Sequence, residues 1–301
     1  MKICVIGANG FLARSYGKYF DNYEIVTLDV YGISLPTTYE YSGFVQFDLT
    51  KEEKNLTVFL EYDYIFYLAG KGVQSTMFEP SAELYQVNAF FPIKLILFLK
   101  ENSFKGKIIT FGSYFEVGNC NEDISFSETE LASLRYLVPN NYCLSKRILT
   151  RFIDSIIENN FIYHFILPTI FGYGEDKKRL IPFVIEKIKK EEDLLLTSGL
   201  QVREYIYVDD IPIITKPIFN NTLKPGIYNI NGTEKLTIKD LVTKIADYFN
   251  YPQEKLIFGG ENRNDVSMLF LSLNGTKLNS ISKTRPNTLI IDKIDEYKNG
   301  I

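Results

Sequence analysis

The first half of the chain alternates short apolar runs with longer stretches in which apolar residues recur every three or four positions. The runs at 2–6, 24–28, 44–47, 64–68, 107–112 and 161–167 read as strands, and 11–20, 51–60, 81–101 and 140–159 as helices. Ile65-Phe66-Tyr67-Leu68 and Lys107-Ile108-Ile109-Thr110-Phe111 lack polar alternation, as strands do when both faces of a parallel sheet are covered. Strands and helices in regular alternation imply right-handed crossovers, hence an α/β fold with a doubly wound parallel sheet. Past about residue 170 the pattern changes. Helices near 180–191, 209–219, 237–249 and 274–281 mix with short strands at 194–197, 205–208, 227–230 and 256–258, punctuated by glycines. This predicts a large unit over 1–168, a segment near 200–230 returning to it, and a smaller α/β cap over 169–301.

Composition narrows the function classes. In 301 residues, 46% hydrophobic content supports a sizeable core. A net charge of −4, with its cations scattered, leaves no basic stripe for nucleic acid. Cys4, Cys120 and Cys143 have neither metal-ligand spacing nor the pattern of a disulfide framework, and His164 is the single histidine. No metal centre or histidine-based triad is expected. The apolar pattern starts at residue 2 and no uninterrupted apolar run approaches about 20 residues. The expectation is a cytoplasmic protein without a membrane span.

The candidate chemistry lies in two places. Gly7-Ala8-Asn9-Gly10-Phe11-Leu12-Ala13 follows the first strand and opens the first helix, the layout in which backbone amides hold a pyrophosphate. Asp29, placed at the end of the second strand, is positioned to accept the ribose hydroxyls of NAD and to repel the 2′-phosphate of NADP. Arg14 is the nearby cation that favours NADP instead. Asp48-Leu49-Thr50, past the third strand, either closes over the adenine or caps a helix. Tyr142 and Lys146 are four apart, so a helix puts both on one face, where an ammonium favours the phenolate. Ser113 ends the strand from Lys107 and faces the ligand crevice of such a sheet. The three together point to proton transfer coupled to nicotinamide chemistry.

On these residues the chain resembles the extended short-chain dehydrogenase/reductases that modify nucleotide sugars. The resemblance runs through GANGFLA (7–13), FDLT (47–50), FYLAG (66–70), VN (87–88), FGSYFEVG (111–118), YCLSK (142–146), LPTIFGYG (167–174), LIPFVI (180–185) and REYIYVDD (203–210). It implies a Rossmann-type sheet with a nucleotide-sugar-binding cap. It implies Tyr142 as acid/base on the sugar oxygen, Lys146 on the nicotinamide ribose, and Ser113 on the reacting oxygen. The cofactor set is Gly7, Asn9, Gly10, Phe11, Leu12, Asp29, Asp48, Leu49, Leu68, Ala69, Gly70, Tyr142, Lys146 and Pro168. The substrate set is Ser113, Phe115, Thr169, Arg179, Arg203 and Arg263, the last two arginines clamping a diphosphate. The 4,6-dehydratases of the family carry an acid two residues after the catalytic serine or threonine. Phe115 stands there in this chain, which disfavours dehydration.

The stretch from Phe258-Gly259-Gly260 to Lys277-Leu278 looks most like the CDP-abequose synthase-type 4-keto-sugar reductases. The leading expectation is reduction of a 4-keto-6-deoxy sugar linked to CDP, dTDP, UDP or GDP, with NAD(H) favoured by Asp29 and NADP(H) as the other choice. An NAD-dependent 4-epimerase is the alternative, and a non-enzymatic nicotinamide-sensing regulator the third reading. The apolar surplus on 82–99 and around Leu144, Ile148 and Phe152 further predicts a homodimer.

Overall fold

The computed structural model describes residues 1–21, 23–51, 55–72, 82–156, 160–260 and 268–298. Seven parallel strands make its central sheet: β1 (Lys2–Ile6), β2 (Thr27–Gly32), β3 (Gly43–Gln46), β4 (Tyr64–Tyr67), β5 (Lys107–Ser113), β6 (Ile162–Leu167) and β10 (Gly226–Asn229). They lie in the order β10-β6-β5-β4-β1-β2-β3. The chain order reverses between β1 and β4, and this switch point is where open α/β sheets leave a crevice at their carboxyl ends. Between β6 and β10 in the chain, β7 (Thr169–Phe171) and β9 (Val202–Tyr207) form a second, three-stranded sheet with β11 (Glu234–Thr237). β8 (Leu194–Leu196) pairs with β12 (Leu256–Phe258). The expected doubly wound parallel fold is what forms.

Alternate residues of the central strands feed two cores, one on each face. Ile3 and Val5 of β1 point into one, Cys4 and Ile6 into the other. The first face is covered by the helix Phe11–Phe20, whose Tyr16 and Phe20 pack on Phe66. Burying each such ring stabilises the fold by roughly 1.5–3 kcal/mol. The Tyr16 hydroxyl escapes a desolvation penalty through a 2.6 Å hydrogen bond with Thr215. The second face is covered by the helical segment Ala82–Glu101 and the helix Asn141–Ser155.

Several boundaries differ from the sequence expectation. The second strand begins at Thr27 and runs to Gly32, because Tyr31 continues the pairing with Ile6 that apolar content alone did not mark. The expected helix at 51–60 is instead a 3₁₀ segment, Leu56–Glu61, and 52–54 lie outside the described residues. The segment Ala82–Glu101 is, by length and composition alone, apolar enough to cross a membrane, although half of it is buried inside the protein. Glu83, Lys94 and Lys100 interrupt it, so no unbroken apolar run marks it in the sequence. β7 and β11, three and four residues long, are too short to register as periodic patterns.

Candidate active site

The site assembles at the carboxyl ends of four neighbouring strands, β6, β5, β4 and β1. At β1, Gly7 takes a φ of +87°, and a β-carbon there would lie 2.5 Å from the Ala69 nitrogen. Only glycine lets the loop press against the end of β4. Gly10 then serves as N-cap of the helix Phe11–Phe20 without a side-chain hydrogen bond, so the first-turn amides keep no internal acceptor. A glycine-walled, uncapped helix N-terminus fits a dinucleotide pyrophosphate. Leu68, Ala69 and Gly70 flank it from β4, and Pro168 follows the end of β6.

Asn88 ties this cofactor side to the catalytic helix. Its Oδ1 accepts the Lys71 amide at 2.9 Å, and its Nδ2 donates to the Lys71 carbonyl at 2.9 Å and to Ser145 Oγ at 3.0 Å. It sits in a π-helical turn, Gln86–Phe90, that widens the helix at this point. The sequence offered the Val87-Asn88 pair without showing this role.

Tyr142 and Lys146 project from Asn141–Ser155, which Asn140 caps through the Cys143 amide at 2.9 Å. Both are buried. Burial pushes the Tyr142 phenol well up; the Ser113 hydroxyl pulls it down, Cys143 and Glu116 add to the rise, and Arg179 lowers it. Lys146 Nζ donates to the Phe111 carbonyl at 2.9 Å, and burial lowers its pKa to about 8 against an opposing push from Glu116. The Ser113 hydroxyl is a partner that the structure places against the tyrosine. The Phe115 ring stands edge-on to Tyr142, with centroids 6.5 Å apart and planes at 72°.

Glu116 went unnoticed in the sequence. It is 1% exposed and accepts the Ser113 amide at 2.7 Å while Ser113 caps the turn in return. Burial raises its pKa to about 7 against the Thr150 hydroxyl, the Ser113 amide, Lys146 and Arg147. The signal available was a glutamate three residues after a serine, the pattern of a capping box. His164 sits behind it, bridging Thr110 at 2.8 Å and Thr150 at 2.9 Å, as a structural histidine should.

On the substrate side, register puts Leu167 beside Ser113 and Thr169 beside Tyr205. The Tyr114 hydroxyl meets Thr169 Oγ1 at 2.6 Å. Arg203, 6% exposed, donates to the Val202 carbonyl at 2.8 Å, and Arg179 pairs with Glu175 at 2.9 Å. Both guanidinium groups lower the pKa of the buried Tyr114 and Tyr205 against the rise that burial causes. Glu175 is itself anchored by Tyr297, a residue no motif flagged. Arg263 lies outside the described residues.

Two acidic residues have local partners the sequence did not indicate. Asp29 is third of six residues in β2, not at its end, and its Oδ2 accepts the Tyr62 hydroxyl at 2.7 Å. At the strand's end stands Gly32, where a β-carbon would come within 2.5 Å of Asn9 Oδ1. Asp48 is committed to its own turn, accepting the Thr50 amide at 3.0 Å and hydroxyl at 2.6 Å, which lowers its pKa to about 2. The segment that follows, Leu56–Glu61, is capped by Asn55 instead. Leu49 beside Asp48 is buried.

A doubly wound sheet with a glycine loop at its switch point and a serine, tyrosine and lysine gathered beside it is the layout of a nicotinamide-dependent oxidoreductase. Over residues 3–231 the chain matches the NAD dependent epimerase/dehydratase family, and it belongs to that family of enzymes. It is 26% identical over 191 residues to a CDP-abequose synthase of Salmonella muenchen, a match spanning 63% of this chain and 61% of that protein. The CDP-abequose synthase of Yersinia pseudotuberculosis is 24% identical over 89% of this chain and 91% of its own. Among solved structures, a UDP-glucose 4-epimerase of Thermus thermophilus in complex with NAD superposes with TM-score 0.81 at 16% identity, covering all of both chains. The dTDP-glucose 4,6-dehydratase DesIV of Streptomyces venezuelae also gives 0.81 at 16% identity, covering 99% of this chain and 97% of that one.

Proposed function

We propose that the protein reduces the C4 keto group of a nucleotide-linked 4-keto-6-deoxyhexose. Phe115 argues against dehydration and fits a reductase and an epimerase alike, so the observation that carries the reductase is the likeness to CDP-abequose synthases. The ring packed edge-on against Tyr142 leaves no carboxyl at the position where the family's dehydratases keep their acid, while the proton-transfer cluster itself is complete. The likeness to CDP-abequose synthases spans most of the chain. A bound reduced nicotinamide supplies the hydride; NAD(H) is assigned from the family, with NADP(H) second. Tyr142, kept as a phenol by burial, gives its proton to the C4 oxygen, and Ser113 holds that oxygen. Arg179 and Arg203 face the diphosphate, and Thr169 and Phe115 line the sugar side. Leu68 to Gly70 and Pro168 bound the nicotinamide.

A 4-epimerase uses the same residues, and it is the second reading because Phe115 fits it as well. A panel of CDP-, dTDP-, UDP- and GDP-linked sugars, followed by nicotinamide absorbance and product stereochemistry, separates the two. Stoichiometric oxidation of NADH or NADPH on a 4-keto sugar supports the reductase. C4 inversion without net cofactor consumption overturns it.

The same reading includes a homodimer. Phe90, Leu97 and Leu144 are 52%, 39% and 38% exposed on the two helices that cover the second face. The C-terminal residues Ile290, Ile294 and Tyr297 pack in the opposite core and do not cover them. Light scattering should give twice the chain mass; a monomer at micromolar concentration refutes the dimer.

A further inference from the structure

Behind the catalytic cluster lies a buried polar layer that the proposed reaction does not use. Glu116 Oε1 receives the Ser113 amide, and the Thr150 hydroxyl lies beside the carboxyl. From Asn141–Ser155, Lys146, Arg147 and Cys143 act on or near this carboxyl. Arg147 spends its guanidinium on the carbonyls of Tyr136, Glu116 and Val117, so it braces the backbone and does not neutralise the carboxyl directly. From β6, His164 approaches closely: a β-carbon on Gly112 would lie 2.6 Å from Glu116 Oε1 and 2.8 Å from His164 Nε2. Gly112 is thus the gap that lets a carboxyl reach under the end of β5. A cap for a four-residue turn could be supplied by an exposed side chain, whereas this one is 1% exposed and lies beside His164 and the end of β5.

We propose that Glu116 is a positioning residue: it fixes the Ser113 amide and, when ionised, holds negative charge behind Tyr142 and Lys146, adding to the burial that keeps Tyr142 a phenol and favouring Lys146 as an ammonium. This rests on the reading of Tyr142 as proton donor. A carboxylate opposes formation of a second anion nearby and favours a cation. Both effects suit reduction of a ketone, in which the tyrosine must begin protonated, and both oppose the phenolate that alcohol oxidation requires.

The test is a phenolate absorbance titration of the full chain with NAD bound, each form compared with its Tyr142→Phe counterpart so that Tyr142 alone is read. Glu116→Gln keeps an acceptor for the Ser113 amide and removes the charge. It should lower the Tyr142 midpoint by about one pH unit, a roughly tenfold rise in the phenolate-to-phenol ratio at a given alkaline pH. Glu116→Asp keeps the charge one methylene further back and should move the ratio the same way by less, which keeps the question open to measurement if the glutamine variant fails to fold. A ratio unchanged in whichever variant folds, with only thermal stability reduced, overturns the proposal and leaves Glu116 a turn cap. No sugar is needed, so failure of the nucleotide-sugar panel and failure of this proposal are separate results.

Discussion

Glu116→Gln should also expose a hidden pH dependence of stability, because two buried groups near the end of β5 titrate in opposing senses. Burial holds His164 neutral and lowers its pKa to about 3, whereas an unfolded histidine titrates near 6.5. Below about pH 6.5 the unfolded chain takes a proton that the folded chain refuses, so stability falls as pH falls, by about 1.4 kcal/mol per unit. Glu116 works the other way. Its folded pKa of about 7 exceeds the ordinary value of 4.5, so between these the folded chain holds the extra proton and stability falls as pH rises. Across about pH 4.5–6.5 the two contributions cancel, and the wild type should be nearly flat with respect to this pair. Removing the carboxyl leaves the histidine slope alone. Relative to the wild type, Glu116→Gln should gain about 3 kcal/mol between about pH 4.5 and pH 7. Urea unfolding at several pH values measures it, the comparison at each pH removing groups common to both proteins. A wild-type-minus-variant difference that stays constant with pH refutes the reasoning. It would mean that Glu116 titrates in the folded chain as it does in water.

Three further outcomes follow from the site. Tyr142→Phe should lower turnover at least about 100-fold with cofactor affinity nearly kept, since only proton transfer is removed; steady-state kinetics with calorimetric NAD binding checks both halves. Asn88→Ala strands the Lys71 amide and carbonyl beside a side chain 1% exposed and should cost about 3 kcal/mol in urea unfolding, where an unshifted midpoint would show the bonds to be unimportant. Asp29→Asn should change the NAD/NADP affinity ratio by less than about threefold, because the carboxylate answers to Tyr62; a swing of about tenfold or more toward NADP would make it the ribose anchor after all.

How far the sequence could be read depended on whether each residue's role was local. The parallel strands and the helix bearing Tyr142 and Lys146 were legible because period and spacing are properties of consecutive residues. Gly7 was legible for the same reason: a glycine between a buried strand and a helix has few other uses. Asp29 was placed wrongly because its position depends on which residue of β2 lies opposite Ile6, and pairing register is set by another strand. Helical spacing put Lys146 beside Tyr142, but it did not show that the ammonium would also donate to the Phe111 carbonyl at the end of β5, since that acceptor belongs to another element. Glu116 escaped notice altogether. Its environment comes from residues far along the chain, Lys146, Arg147, Thr150 and His164, which only the packing of one helix on two strands brings together. A carboxyl enclosed in this way stays buried only if something nearby shares its charge or its proton. No acid stands at Phe115; the nearby one, Glu116, lies behind Ser113 and accepts its amide. That displacement argues against dehydration and is consistent with the reduction proposed above.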